Sequence, residues 1–189
     1  MDNKWEIYYK MDDETLKEAI ELDKQTFDDI DTVSFDHCKS WLKRNDQIYT
    51  VLKYDGELVG YTNFIALTDE CYNRYREGAG KDYFLQSTDV VPFKKGKNNK
   101  CLMLSIVIKK EYRDGEAIKI LSGALRDRIN DFEKQGIHIS HVIQDCVSMD
   151  GIKFALNFFN ARYVCDSLGG KIYEAKLDED NFFSIPKLR

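Results

Sequence analysis

Residues 102–125 read LMLSIVIKKEYRDGEAIKILSGAL, and no other stretch limits the fold as tightly. An apolar run of β type, Leu102 to Ile108, passes through a charged bend with Arg113 and Gly115 and enters an amphipathic helix near Ala117. Strand, glycine-bearing turn and helix in that order make an anion site. The first backbone N–H groups of a helix lack internal partners, and the helix dipole adds partial positive charge there. A diphosphate is the natural guest. Asp114 and Glu116 bring negative charge to the same turn, and ordinary first-turn helix stabilisation also explains them.

The rest of the chain supplies a sheet around this unit. Trp5, Ile7 and Tyr9 alternate with polar neighbours as in a short strand. Asp12 or Asp13 caps a helix with Leu16, Ala19, Ile20 and Phe27 on its apolar face, and Ser34 caps a second helix carrying Cys38, Trp41 and Leu42. Asp55-Gly56 between two β-rich runs specifies a type I′ hairpin, whose two central residues need positive φ. Residues 68–100 read as irregular, with a short strand near 88–93. A third helix covers about 117–135 and stops at Gly136; a strand follows over 137–147. Ser148 or Asp150 caps a fourth helix with Ile152, Ala155, Leu156 and Phe159 on one face, and two closing strands flank Gly169-Gly170.

At 189 residues the chain is expected to form one domain, 1–189, burying roughly 70% of its unfolded surface. Its net charge of −5 disfavours a nucleic-acid binder, which needs clustered Lys and Arg. The cluster Lys94, Lys95, Lys97 and Lys100 reads as a solvated loop, while the acidic balance suits a cationic partner such as an amine. The five cysteines are scattered and lack metal-ligand spacing, and no metal site is expected. No apolar run reaches membrane-spanning length, and the N-terminus lacks a signal-type apolar segment, so a cytoplasmic protein with no membrane partner is expected.

The order of elements, with the anion-type turn after the central strand, resembles the GNAT family of acyl-CoA N-acyltransferases. The local match runs through Ile108-Lys109-Lys110-Glu111-Tyr112-Arg113, similar to that family's V-x-P-E-Y-R strand end. Tyr112 to Ala117 resembles its Q/R-x-x-G-x-G/A turn, with either Tyr112 or Arg113 in the first slot. Ser148 to Tyr163 resembles its last block, a capped helix running into Y-E-K-L-G-F.

The resemblance implies an α/β fold, a mixed central sheet of about six or seven strands flanked by about four helices. It implies acetyl-CoA as co-substrate and direct transfer of its acyl group to a small-molecule or peptide amine; an acyl-CoA-binding protein without catalysis is the alternative. A homodimer is compatible with it. The pantetheine arm is expected along β-type residues Ile106, Val107 and Ile108 as an added strand. The diphosphate is expected over Arg113, Asp114, Gly115, Glu116, Ala117 and Ile118, with Ser148 and Lys153 meeting the rest of the cofactor. The family's proton-donating tyrosine falls at Phe159, which cannot donate, so Tyr163 is the substitute candidate. Asp145, on the side of its strand expected to be buried, is the candidate base.

Overall fold

The computed structural model describes residues 4–27 and 33–177. Seven strands form one sheet in the order β1-β2-β3-β4-β5-β7-β6. They are β1 (Trp5–Tyr8), β2 (Tyr49–Tyr54), β3 (Glu57–Ala66), β4 (Asn98–Ile108), β5 (His138–Cys146), β6 (Arg162–Asp166) and β7 (Lys171–Lys176). All neighbouring pairs are antiparallel except β4 and β5. That pair is parallel because a helix crosses over between its two members, as such connections require.

Five helices accompany the sheet among the described residues: α1 (Asp13–Thr26), α2 (Phe35–Arg44), α3 (Asp69–Arg76), α4 (Glu116–Lys134) and α5 (Met149–Phe159). Side chains from α1, α2 and α3, including Leu16, Leu22, Trp41, Tyr72 and Tyr75, fill one face of the sheet with Leu102, Ile143 and Ile172. α4 and α5 fill the other face with Leu125, Ile129, Phe132, Phe154 and Phe158 against Phe64, Met103 and Val142.

The hairpin turn is the one expected, with Asp55 at φ 53 and Gly56 at φ 84. Asp12, Ser34 and Ser148 cap their helices, each accepting a backbone N–H of the first turn. Three expectations change. Residues 69–76 form α3, capped by Thr68; its apolar positions Cys71, Tyr72 and Tyr75 are too few to stand out in sequence. The strand near 88–93 reduces to a single bridge between Val90 and Leu67. On α5 the buried face is Phe154, Ala155, Phe158 and Phe159, whereas Leu156 is 45% exposed. The phenylalanines outcompete leucine for the interior because they bury the larger apolar area.

Arg128 ties α4 to the sheet. It is 7% exposed, and its guanidinium donates to the Tyr49 carbonyl, to Thr50 Oγ1 at 3.2 Å and to the Tyr9 carbonyl at 3.5 Å. It also lies over the rings of Tyr9 and Phe132. Burial draws its pKa down to about 10, the mark of a cation held by neutral acceptors. Replacing Arg128 with Ala should cost about 2–4 kcal/mol by removing charge-assisted hydrogen bonds and packed stem together. Arg128→Lys should recover less than half of that, since a point-like ammonium lacks the planar fork. Urea unfolding midpoints of the three proteins check both expectations.

Candidate active site

β4 and β5 run side by side only from Asn98–His138 to Leu102–Ile143. Beyond Leu102 the two diverge, and β4 keeps β3 as its strand neighbour through Ile108. On the side facing β5, Met103–Ile108 has no strand partner among the described residues. The β3 register also slips here: Asn63 pairs with Ser105 and Phe64 with Met103, so Leu104 is an extra residue in a β-bulge. The bulge cancels the usual alternation, and neighbouring Leu104 and Ser105 both line one cavity.

That cavity lies on the α1–α2 face of the divergence and has a volume of about 80 Å3. Asp23 of α1 and Phe27 just past its end, Cys38 and Trp41 of α2, and Tyr49, Tyr61 and Asn63 of the hairpin form its walls. Lys81, Asp82 and Tyr83 close it from the loop before β4, and Asp145 and Val147 from the end of β5.

Its electrostatics centre on Asp23. Tyr61 donates its phenol hydrogen to Asp23 Oδ1, which favours the carboxylate, but burial outweighs this and pushes the carboxyl pKa up to about 6. Burial drives the Tyr49 and Tyr61 hydroxyls well above their ordinary range and the Cys38 thiol up to about 12, so all three stay neutral at pH 7. Asn63 is 2% exposed, and its Oδ1 has no hydrogen-bond partner among the described residues.

Asp145 also reaches the cavity, but with its oxygens engaged. Lys81 Nζ lies 3.3 Å from Oδ2, with the two side chains 11% and 9% exposed, and Ser167 donates to Oδ1 at 2.6 Å. Gly170 packs against this carboxylate so closely that a Cβ there would sit 2.6 Å from Oδ1. Tyr163 is not brought to the same place. It pairs with Tyr173 and contacts that ring, on the α4–α5 face of the sheet, and is 51% exposed. Phe159 is 2% exposed and stacked on Phe64 inside that same layer.

Beyond β4 the chain makes a 3-10 turn, Lys110–Tyr112, and enters α4 through Gly115 at φ 103. Such a φ favours glycine. The first turn of α4 has no side-chain cap from Gly115, and Asp114 Oδ1 accepts from Glu116 N at 3.1 Å. Ala117 is buried and Ile118 packs beneath the turn. Arg113 turns back, its Nε donating to the Ile108 carbonyl at 2.8 Å, so it braces the corner between strand and helix. Ile106, Val107 and Ile108 form the distal part of the free β4 edge. Ser148 is engaged in capping α5, and Lys153 pairs with Asp150 at 3.3 Å.

The sequence reading missed Asp23, Asn63 and Lys81. Asp23 had a signal: it stands in the i, i+4 row Ala19, Asp23, Phe27, a carboxylate within the apolar stripe of α1. Asn63 had a weaker one, an amide inside a strand that is buried along nearly its whole length. Lys81 had none.

The backbone is similar to that of known structures. Ard1 from Thermoplasma volcanium superposes with a TM-score of 0.61 over 93% of this chain and 99% of its own, at 9% identity. The loading GNATL domain of CurA from Lyngbya majuscula also reaches 0.61, over 92% and 98%, at 8% identity. YncA, a putative acetyltransferase from Salmonella typhimurium solved with acetyl-CoA, gives 0.56 over 94% and 96%, at 13% identity. The chain has the GNAT fold. No protein-family model and no curated protein matches the sequence. At these identities the GNAT likeness is one of backbone path, so the chemistry has to be argued from this chain's own side chains.

The Asp23 environment has a measurable consequence. Its folded pKa lies above the unfolded value of 3.8, so the folded state binds the extra proton. Stability from this group is therefore full below about pH 4 and is lost as pH rises through about 6. Asp23→Asn should match the parent protein in Tm at pH 4 and exceed it at pH 7, by about 1–3 kcal/mol of stability. Thermal unfolding of both proteins across pH 4–8 measures this.

Proposed function

We propose that this protein is an acyl-CoA-dependent N-acyltransferase, moving an acetyl group from acetyl-CoA to an amine by direct attack. The observation that carries the reading is the bulged free edge of β4, whose Leu104 and Ser105 open into a cavity holding a buried carboxylate. Acetyl-CoA as the donor is supported by its presence in the YncA structure, which shares this fold.

An unpaired strand edge accepts an extended amide chain as an additional strand, through backbone hydrogen bonds indifferent to side-chain identity. Pantetheine carries such amides, and Ile106, Val107 and Ile108 are the residues that would hold it. The diphosphate belongs at the N-terminus of α4, on the amides around Gly115, Glu116, Ala117 and Ile118. Arg113 and Asp114 act there by shaping the corner, since both already bond the backbone. Ser148 and Lys153, at the start of α5, would meet the rest of the cofactor.

The thioester supplies an activated acyl carbon. A backbone N–H at the Leu104 bulge is the natural donor to its oxygen as negative charge develops there. The attacking amine must first lose a proton, since its pKa is near ~10. Asp23 and Asp145 are the carboxylates at hand. Asp145 is engaged by Lys81 and Ser167, which leaves Asp23 as the better acceptor. The leaving thiolate needs little help, because a thiol pKa of ~8.5 makes it stable near neutrality. This suits the buried Phe159 and the placement of Tyr163 on the other face. Cytoplasmic action fits the free cysteines, which remain reduced there.

Thermal unfolding with 1 mM acetyl-CoA, followed by thiol release on adding amines, tests the reading. For a Kd near ~10 μM the ligand stabilises by about 2.7 kcal/mol. That raises Tm by roughly 5–10 °C at this chain length. No rise in Tm rejects the reading. A rise without thiol release across a broad amine panel points instead to an acyl-CoA-binding protein without catalysis.

A further inference from the structure

The cavity that would receive an amine already contains one. Lys81 is the only lysine on its walls among the described residues, and its side chain is 11% exposed. A buried ammonium needs a counter-charge, and Asp145 supplies it, with Oδ2 3.3 Å from Nζ on a side chain 9% exposed. Ser167 donates to the other carboxylate oxygen at 2.6 Å, and a Cβ on Gly169 would stand 3.3 Å from Nζ. The turn between β6 and β7 therefore packs against the pair and confines the amino group to one place.

Strand register fixes where that place is. β4 and β5 last pair at Leu102 and Ile143. Leu104 and Asp145 each lie two residues further on, so the Lys81–Asp145 pair stands across the gap at the level of the β4 bulge. Ile143 packs in the α1–α3 layer, and a two-residue step keeps Asp145 on that face, where Leu104 and Ser105 also open. An acyl chain carried along the free edge of β4 would bring its thioester between the bulge and this amine. Lys94, Lys95 and Lys97, by contrast, are exposed, and acetyl-CoA in solution reaches them without help from the fold.

We infer that Lys81 is a self-acetylation site: when no amine occupies the cavity, bound acetyl-CoA passes its acetyl group to Lys81 Nζ, with Asp145 taking the proton. This rests on the acyltransferase reading and goes beyond it, because the acceptor is the chain itself. An ammonium has no lone pair, so Nζ first gives a proton to Asp145 Oδ2. The freed lone pair attacks the thioester carbon, a C–N bond forms and the C–S bond breaks. The second proton lost by the nitrogen ends on the departing thiol, and Asp145 releases the first to solvent. The resulting amide is neutral, so Asp145 loses its cation and keeps the Ser167 hydrogen bond. The modified side chain remains in a cavity of about 80 Å3, in the space an amine would need.

Incubating the purified protein with acetyl-CoA and no amine, and following intact mass and peptide maps over time, tests this. One acetyl group per chain is expected on Lys81, formed roughly tenfold or more faster than on Lys94, Lys95 or Lys97. The rate should saturate with acetyl-CoA and be independent of protein concentration, since transfer occurs within one molecule. Even labelling of the exposed lysines with Lys81 unmodified overturns the inference. A Lys81 rate that rises in proportion to protein concentration overturns transfer within the chain.

Lys81→Arg keeps a cation beside Asp145 but offers no primary amine, so the fast phase should vanish; a fast phase that persists overturns the assignment. Asp145→Asn should slow the fast phase about a hundredfold, and a slowing of less than about tenfold overturns the role of Asp145. The rise in Tm with acetyl-CoA, measured on each variant, separates lost chemistry from lost binding. If the parent protein gains no Tm from acetyl-CoA, the acyltransferase reading falls and this inference with it. If the parent gains Tm and Lys81 stays unmodified, only self-acetylation falls.

Discussion

Two parallel strands that pair and then part leave, in the interior of this sheet, a stretch of backbone hydrogen-bonding groups without a strand partner among the described residues. β4 and β5 begin in register at Asn98 and His138 and separate after Leu102 and Ile143. The separation is built in. The Leu104 bulge turns β4, and on the β5 side the ion pair of Lys81 with Asp145, the Ser167 hydroxyl and the close approach of Gly170 fix the other arm. Zipping the two strands together would remove the cavity between them and pull the Asp145 cluster apart. Helices fill both faces of the sheet, so the gap remains as an open edge within a packed body.

The polar groups around that gap form an environment in which burial decides protonation. Tyr49, Tyr61 and Cys38 are kept neutral, and Asp23 is raised far enough to take up and release a proton near neutrality. A carboxylate with a pKa near the working pH accepts a proton and returns it to solvent with little penalty in either direction, which is what a recurring base requires. The same desolvation lowers the stability of the folded protein at pH 7. Burial and stability therefore pull against each other at this one residue.

Local patterns were legible where one residue type has one physical use. Asp55-Gly56 marked a tight hairpin turn, Ser34 a helix cap and Gly115 the corner into α4, while the choice of Asp12 over Asp13 and of Ser148 over Asp150 as caps came from the structure. Short or crowded patterns were harder to read. α3 has too few turns to show a period, and on α5 the competition between leucine and phenylalanine for the interior is settled by packing. Among the site residues, the β4 edge and the α4 corner follow from the strand–turn–helix pattern. Arg113, Ser148 and Lys153, expected to meet the cofactor, are bonded to the Ile108 carbonyl, the Gly151 amide and Asp150.

By itself the sequence determined most of the order of elements, the turn chemistry and the apolar faces of the longer helices, because these depend on residues within a few positions of one another. Only the tertiary structure decided which polar groups share the cavity. Asp23, Asn63, Lys81 and Asp145 come from a helix, a hairpin strand, a loop and a parallel strand. Their meeting depends on sheet order and on the divergence of β4 from β5. The raised pKa of Asp23 arises from desolvation by that packing, a property of the assembled walls that no local stretch of residues carries.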